Sequence, residues 1–189
     1  MELFRKIRLK IGDAILSHKS AGMKRKTSYS NIDQVKKIGL VWDASKIEDL
    51  TFLSKFCQKM NENKREVNVL GYFPGNNLPN QYTAIRYFSI IKNEELNYFY
   101  HPVSSESSAF IKKRFDVLID LNFKKLLPLQ YVSSLSNAGF KVGLFETEAK
   151  KTPYDLLMEI KSPVNVEDYL NQVIHYLGMI NSGTVQKVE

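Results

Sequence analysis

Cysteine is nearly absent from this chain: Cys57 is the only one in 189 residues. No intramolecular disulfide can form, and a thiolate metal cluster is excluded. Cys57 stands among the helix-spaced Phe52, Leu53 and Phe56, so a small buried apolar residue is expected there. Histidine is scarce as well. His18, His101 and His175 share no metal-ligand spacing, so no metal and no cofactor is expected. No apolar run approaches the ~20 residues that a bilayer span needs. Arg5, Lys6, Arg8 and Lys10 interrupt any leader-like apolar core at the N-terminus. The expected location is the cytoplasm, with the inner face of the membrane as the second choice. A glycine loop is missing too. Trp42-Asp43-Ala44-Ser45-Lys46 follows the first apolar run, where G-x-G-x-x-G or a P-loop would stand. Side chains in that turn keep a pyrophosphate away from the helix N-terminus, which argues against dinucleotide binding. No G-x-S-x-G elbow occurs. No catalytic residue is assigned, and a binding protein is expected rather than an enzyme.

What is present is enough for a core. Hydrophobic residues make up 43% of the chain, with 11 Phe, 10 Tyr and one Trp. The net charge of +7 is distributed unevenly. Residues 1–37 hold ten basic and three acidic side chains, whereas the other 152 residues hold 17 of each. The whole excess sits at the N-terminus, which suits an anionic partner.

Three segments follow from the pattern. Residues 1–34 read as a basic amphipathic helix and linker. Leu3, Phe4, Ile7, Ile11, Ala14 and Ile15 recur at helical spacing over 2–18, and Leu9 and Leu16 project from the other side. Residues 19–34 are polar and aperiodic. Residues 35–180 read as one α/β domain. Strands are expected at 38–42, 66–73, 86–90, 115–121, 140–145 and 154–160, and helices at 45–61, 105–114, 126–138 and 166–180. Ser45 and Glu48 match a capping box, and Ser162 or Asn165 could cap the last helix. Residues 181–189 read as a flexible tail. Strands alternating with helices imply a three-layer Rossmann-like fold with a mostly parallel sheet.

In such sheets, ligands sit beyond the carboxyl ends of the strands, where strand order reverses. That rule selects Asp43 after the first strand, Asp120 and Asn122 after FDVLIDL, and Glu146 after FKVGLF. Two carboxylates facing one crevice could hold a ligand or exchange protons. Each could equally close a local turn.

The basic arm, KIGLVWDAS, VNVLGYF, FDVLIDLN, SSLSNAGFKVGLFE, YDLLMEI and HYLGMI together resemble a family of uncharacterised Bacteroidota proteins across nearly the whole chain. More locally, FDVLIDLNFKK and SSLSNAGFKVGL are similar to the sugar-acceptor domain of lipopolysaccharide heptosyltransferases. Those enzymes carry Gly-Asp after the first strand, with the Asp as candidate base; here Glu48-Asp49 stands nearby without the glycine. That resemblance implies a shared fold more than shared catalysis.

The expected function is therefore binding. Arg5, Lys6, Arg8, Lys10, Lys19, Lys24, Arg25 and Lys26 are the candidates for contact with an anionic surface. RNA, and the ribosome in particular, is the favoured partner, because scattered cations suit phosphates. An acidic membrane surface comes second, on account of the amphipathic helix. A partner protein, or a nucleotide or sugar phosphate held at Asp43, Asp120 and Asn122, completes the alternatives.

Overall fold

Ile38–Trp42 and Val117–Ile119 are uninterrupted apolar runs, and a strand covered on both faces needs that composition. In the computed structural model they become the two central strands of a six-stranded sheet, with order β3-β2-β1-β4-β5-β6. The structure describes residues 2–29, 31–82, 85–145, 152–160 and 165–180. The strands are β1 (Lys37–Asp43), β2 (Glu66–Phe73), β3 (Phe88–Lys92), β4 (Val117–Asp120), β5 (Phe140–Leu144) and β6 (Leu156–Met158). Every neighbouring pair is parallel. The helices are α1 (Glu2–Ala21), α2 (Leu50–Glu62), α3 (Ser105–Lys112), α4 (Leu127–Leu135) and α5 (Val166–Met179). The α/β Rossmann-like reading is correct, and the order reverses between β1 and β4.

Alternation along the strands sorts the core into two layers. Ile38, Leu40 and Trp42 of β1 and Val117 and Ile119 of β4 pack with Leu53 and Phe56 of α2 and Leu170 and Val173 of α5. Val41, Leu70 and Leu118 face the opposite side, with Phe110 of α3 and Leu129 and Val132 of α4. Side-chain caps start two of the helices, and of these only the Asn165 cap was expected from the sequence. Ser104 accepts from Ser107 N at 3.3 Å to cap α3. Asn165 accepts from Asp168 N at 2.7 Å to cap α5. Ser162 lies outside the described residues. The Ser45–Glu48 capping box does not form. Ser45 Oγ donates to Asp43 Oδ1 at 2.6 Å instead, and α2 begins at Leu50 after a short 3-10 turn over Ile47–Asp49.

Helix α1 forms a further layer outside α4. Leu16 packs on Leu127 and Tyr131, with Leu9, Tyr100 and Leu135 at the margin. Tyr131 Oη donates to Gly12 O at 2.8 Å, and Lys125 pairs with Asp13 at 3.4 Å. This explains why α4 buries Leu127, Pro128, Leu129, Tyr131, Val132 and Ser133 almost all round. The segment after α1 is a strap held along the sheet's amino edge. Arg25 donates to the carbonyls of Ala138 and Gly139 and pairs with Asp155 at 2.7 Å. Ser28 N donates to Gly139 O at 2.9 Å, and Tyr29 Oη donates to Leu177 O.

Candidate functional site

The two candidate aspartates lie beside the point where strand order reverses, but their surroundings differ. Asp43 closes a turn: its Oδ1 accepts from Ser45 N at 3.0 Å and from Ser45 Oγ. Asp49 Oδ2 accepts from Trp42 Nε1 at 3.4 Å. Burial raises its pKa. No hydrogen bond or ion pair joins Asp43 to Asp120 among the described residues. Nor does any group of three or more His, Cys, Asp or Glu there stand ready to hold a metal.

Asp120 is the chemically unusual group. It is 4% exposed and ends β4 facing α4. Its Oδ1 accepts from Asn122 N at 3.0 Å and from Asn122 Nδ2. Its Oδ2 accepts from Ser133 Oγ and from Tyr154 Oη, the latter at 2.5 Å. Four donors satisfy the carboxylate, yet no cation pairs with it among the described residues. Burial raises its pKa, because desolvation outweighs the lowering by Ser133, Tyr154 and Asn122. The Tyr154 hydroxyl is pushed well above its ordinary value by burial and by the adjacent carboxylate.

A small cavity of about 20 Å³ opens beside this group, lined by Asp120, Asn122, Lys124, Gln130 and Tyr154 with Leu126 and Leu144. Asn122 Oδ1 and Gln130 Oε1 are buried on this lining without a hydrogen-bond partner among the described residues. Asn122 was legible in the sequence. Gln130, Ser133 and Tyr154 were not, since only the crossing of α4 and the turn before β6 brings them to Asp120. Glu146 lies outside the described residues.

A second feature lies on α1. Leu3 (68% exposed), Phe4 (70%), Ile7 (45%) and Ile11 (42%) face away from the body. At 3.6 residues per turn they stand opposite Leu9, Gly12 and Leu16, which make the contact with α4. Lys6 and Lys10 flank the exposed stripe on one side, and Arg8 and Lys19 on the other. Arg8 also donates to Tyr98 O at 2.8 Å and stacks on the rings of Tyr98 and Tyr100. The eight candidate cations do not form one set, because Arg25 is spent on Asp155 and two carbonyls while Lys24 and Lys26 stay exposed. No helix among the described residues is long and apolar enough to cross a membrane.

Residues 8–180 match a family of unknown function (DUF6913), and the chain belongs to that family. A comparison with curated proteins finds no match.

Proposed function

We propose that this member of the family is a non-enzymatic binding protein that docks through α1 on an anionic surface, and that the surface is an acidic membrane. One observation carries this reading: the apolar stripe Leu3, Phe4, Ile7 and Ile11 is exposed on a helix whose opposite side is already anchored to the body. The stripe is not needed for the protein's own core. Its composition is that of an interfacial helix, with apolar side chains between flanking cations. Full burial of such a side chain is worth about 1.5–3 kcal/mol. Each cation near an acidic leaflet adds on the order of 1 kcal/mol.

RNA, the partner favoured on the sequence alone, becomes the second reading, supported by the exposed Lys24 and Lys26 on the strap. Phosphate contacts leave the stripe without a role, however, and Arg25 is committed internally. Sedimentation of the full chain with vesicles containing acidic phospholipid, beside gel shifts on structured RNA, separates the two. The Ile7→Ser/Ile11→Ser pair alters exposed positions only, so the fold should survive. Vesicle binding should fall to background in this variant and weaken with salt. Failure of the unaltered chain to pellet with acidic vesicles, or equal pelleting of the variant, overturns the membrane reading. A gel shift indifferent to the two substitutions would favour RNA.

A further inference from the structure

The cavity beside Asp120 is independent of the α1 surface and has a polarity of its own. Asn122 Nδ2 is turned to Asp120, which leaves Oδ1, buried on a residue of the cavity lining, without a partner among the described residues. Gln130 Oε1 joins it. Tyr154 spends its only proton on Asp120 Oδ2, so the phenol oxygen has lone pairs to offer and no donor. Behind these three oxygens lies a carboxylate with no paired cation among the described residues. Such a lining accepts hydrogen bonds and favours positive charge.

The start of α4 does not reverse that preference. The Leu129 and Gln130 N–H groups both donate to Leu126 O at 3.0 Å, and Pro128 has no N–H. Free amides that would make a helix N-terminus attractive to phosphate are thus largely used or missing. Lys124 lines the mouth, and the apolar walls are Leu126 and Leu144. The volume of about 20 Å³ admits one water-sized group.

We infer that this cavity is a binding site for a primary ammonium group, the terminal –NH₃⁺ of a small amine. An ammonium carries three donors, one for each of Asn122 Oδ1, Gln130 Oε1 and Tyr154 Oη. The rest of the ligand would lie outward along Leu126 and Leu144. The position agrees with the rule that ligands of parallel sheets sit at the carboxyl ends near the reversal of strand order.

The test uses the full chain and three probes at matched ionic strength: methylammonium, tetramethylammonium and inorganic phosphate. Methylammonium should raise the melting temperature saturably and shift the side-chain amide resonances of Asn122 and Gln130. Tetramethylammonium has no N–H donor and is too large, so it should do neither. Gln130→Leu should weaken methylammonium binding about fivefold or more, as expected for one lost hydrogen bond. The amide shifts are read on the unaltered protein, so the test holds even where that variant folds poorly. Equal responses to the two ammonium salts, saturation by phosphate alone, or unmoved Asn122 and Gln130 resonances would each overturn the assignment.

Discussion

The ring of Tyr154 occupies the space a side chain would need at Gly143. A Cβ built on Gly143 would fall 2.5 Å from both Cδ2 and Cε2 of that ring. The register pairs Ile119 with Val142, so Gly143 stands beside Asp120 across the β4–β5 ladder. Glycine at this position is what allows a phenol to cross β5 and reach the buried carboxylate. Gly143→Ala should therefore displace Tyr154 and remove one of the four donors to Asp120. The expected loss is about 2–4 kcal/mol, from overpacking and a weakened buried hydrogen bond. Urea unfolding measures it. In a Tyr154→Ala background the same substitution should cost much less, because the clash is gone. Equal costs in both backgrounds would show that Gly143 is required for another reason.

Lys141 makes stability depend on pH. It is 2% exposed, and Nζ donates to Ser134 O at 2.9 Å. Burial first, then the nearby Arg25, lowers its pKa from 10.5 to about 7, while Asp155 opposes the shift. Above about pH 7 the native amine is neutral while the unfolded chain still binds the proton, so stability rises with pH up to the ordinary lysine range. Below that point the full cost of burying the charge is present. Between about pH 7 and 8, histidines, tyrosines and the Cys57 thiol, which burial pushes up to about 12, contribute little to the slope. Denaturation across that window should show stability increasing for the native sequence and nearly flat for Lys141→Met. A gain in the native sequence that persists in Lys141→Met would assign the slope to other groups.

The strands and their direction were legible in the sequence because a strand buried on both faces must be continuously apolar, as Ile38–Trp42 and Val117–Ile119 are. The local half of the Asp120 site was legible too, since Asn122 is two residues away. The rest was not: Ser133 and Tyr154 are 13 and 34 residues from Asp120 and meet it only through tertiary packing. Periodicity found α1 but not the side it packs with. The apolar stripe faces outward, and the contact is centred on Gly12, whose missing side chain permits close approach. At Ser45 two local signals competed, and the turn with Asp43 prevailed over the capping box.

Arg25 couples the strap to Lys141. Its guanidinium is mostly buried against Asp155, and its charge holds the Lys141 amine down. Arg25→Met should leave the Ala138 and Gly139 carbonyls without this donor and Asp155 without its ion pair. A loss of about 3 kcal/mol is expected, the low end for breaking a buried pair, since both side chains keep some exposure. The onset of the stability rise should also move upward from about 7, because one lowering charge is gone. Reading both quantities in one set of denaturation curves is informative. A loss of stability with an unmoved onset would mean that Arg25 acts on the strap alone.

Gly12 decides whether α1 belongs to the body. In an isolated helix, glycine to alanine is favourable by about 1 kcal/mol. Here a Cβ at position 12 would fall 2.5 Å from Phe99 O and 2.8 Å from Leu127 Cδ2. The leucine can rotate, but the carbonyl is backbone and must move with its loop. Gly12→Ala should therefore push α1 off α4, strain the Tyr131–Gly12 hydrogen bond and expose Leu16. The net effect should be destabilising by about 1–3 kcal/mol, with the clash outweighing the propensity gain. Gly22 supplies the control, since a Cβ there meets nothing closer than Lys19 O at 3.6 Å. Gly22→Ala should be neutral within about 0.5 kcal/mol. Thermal unfolding of the two variants side by side checks both. If Gly12→Ala stabilised the protein as it would a free helix, α1 would not be docked on α4 in solution, and its apolar stripe would have no fixed outward side to present to a membrane.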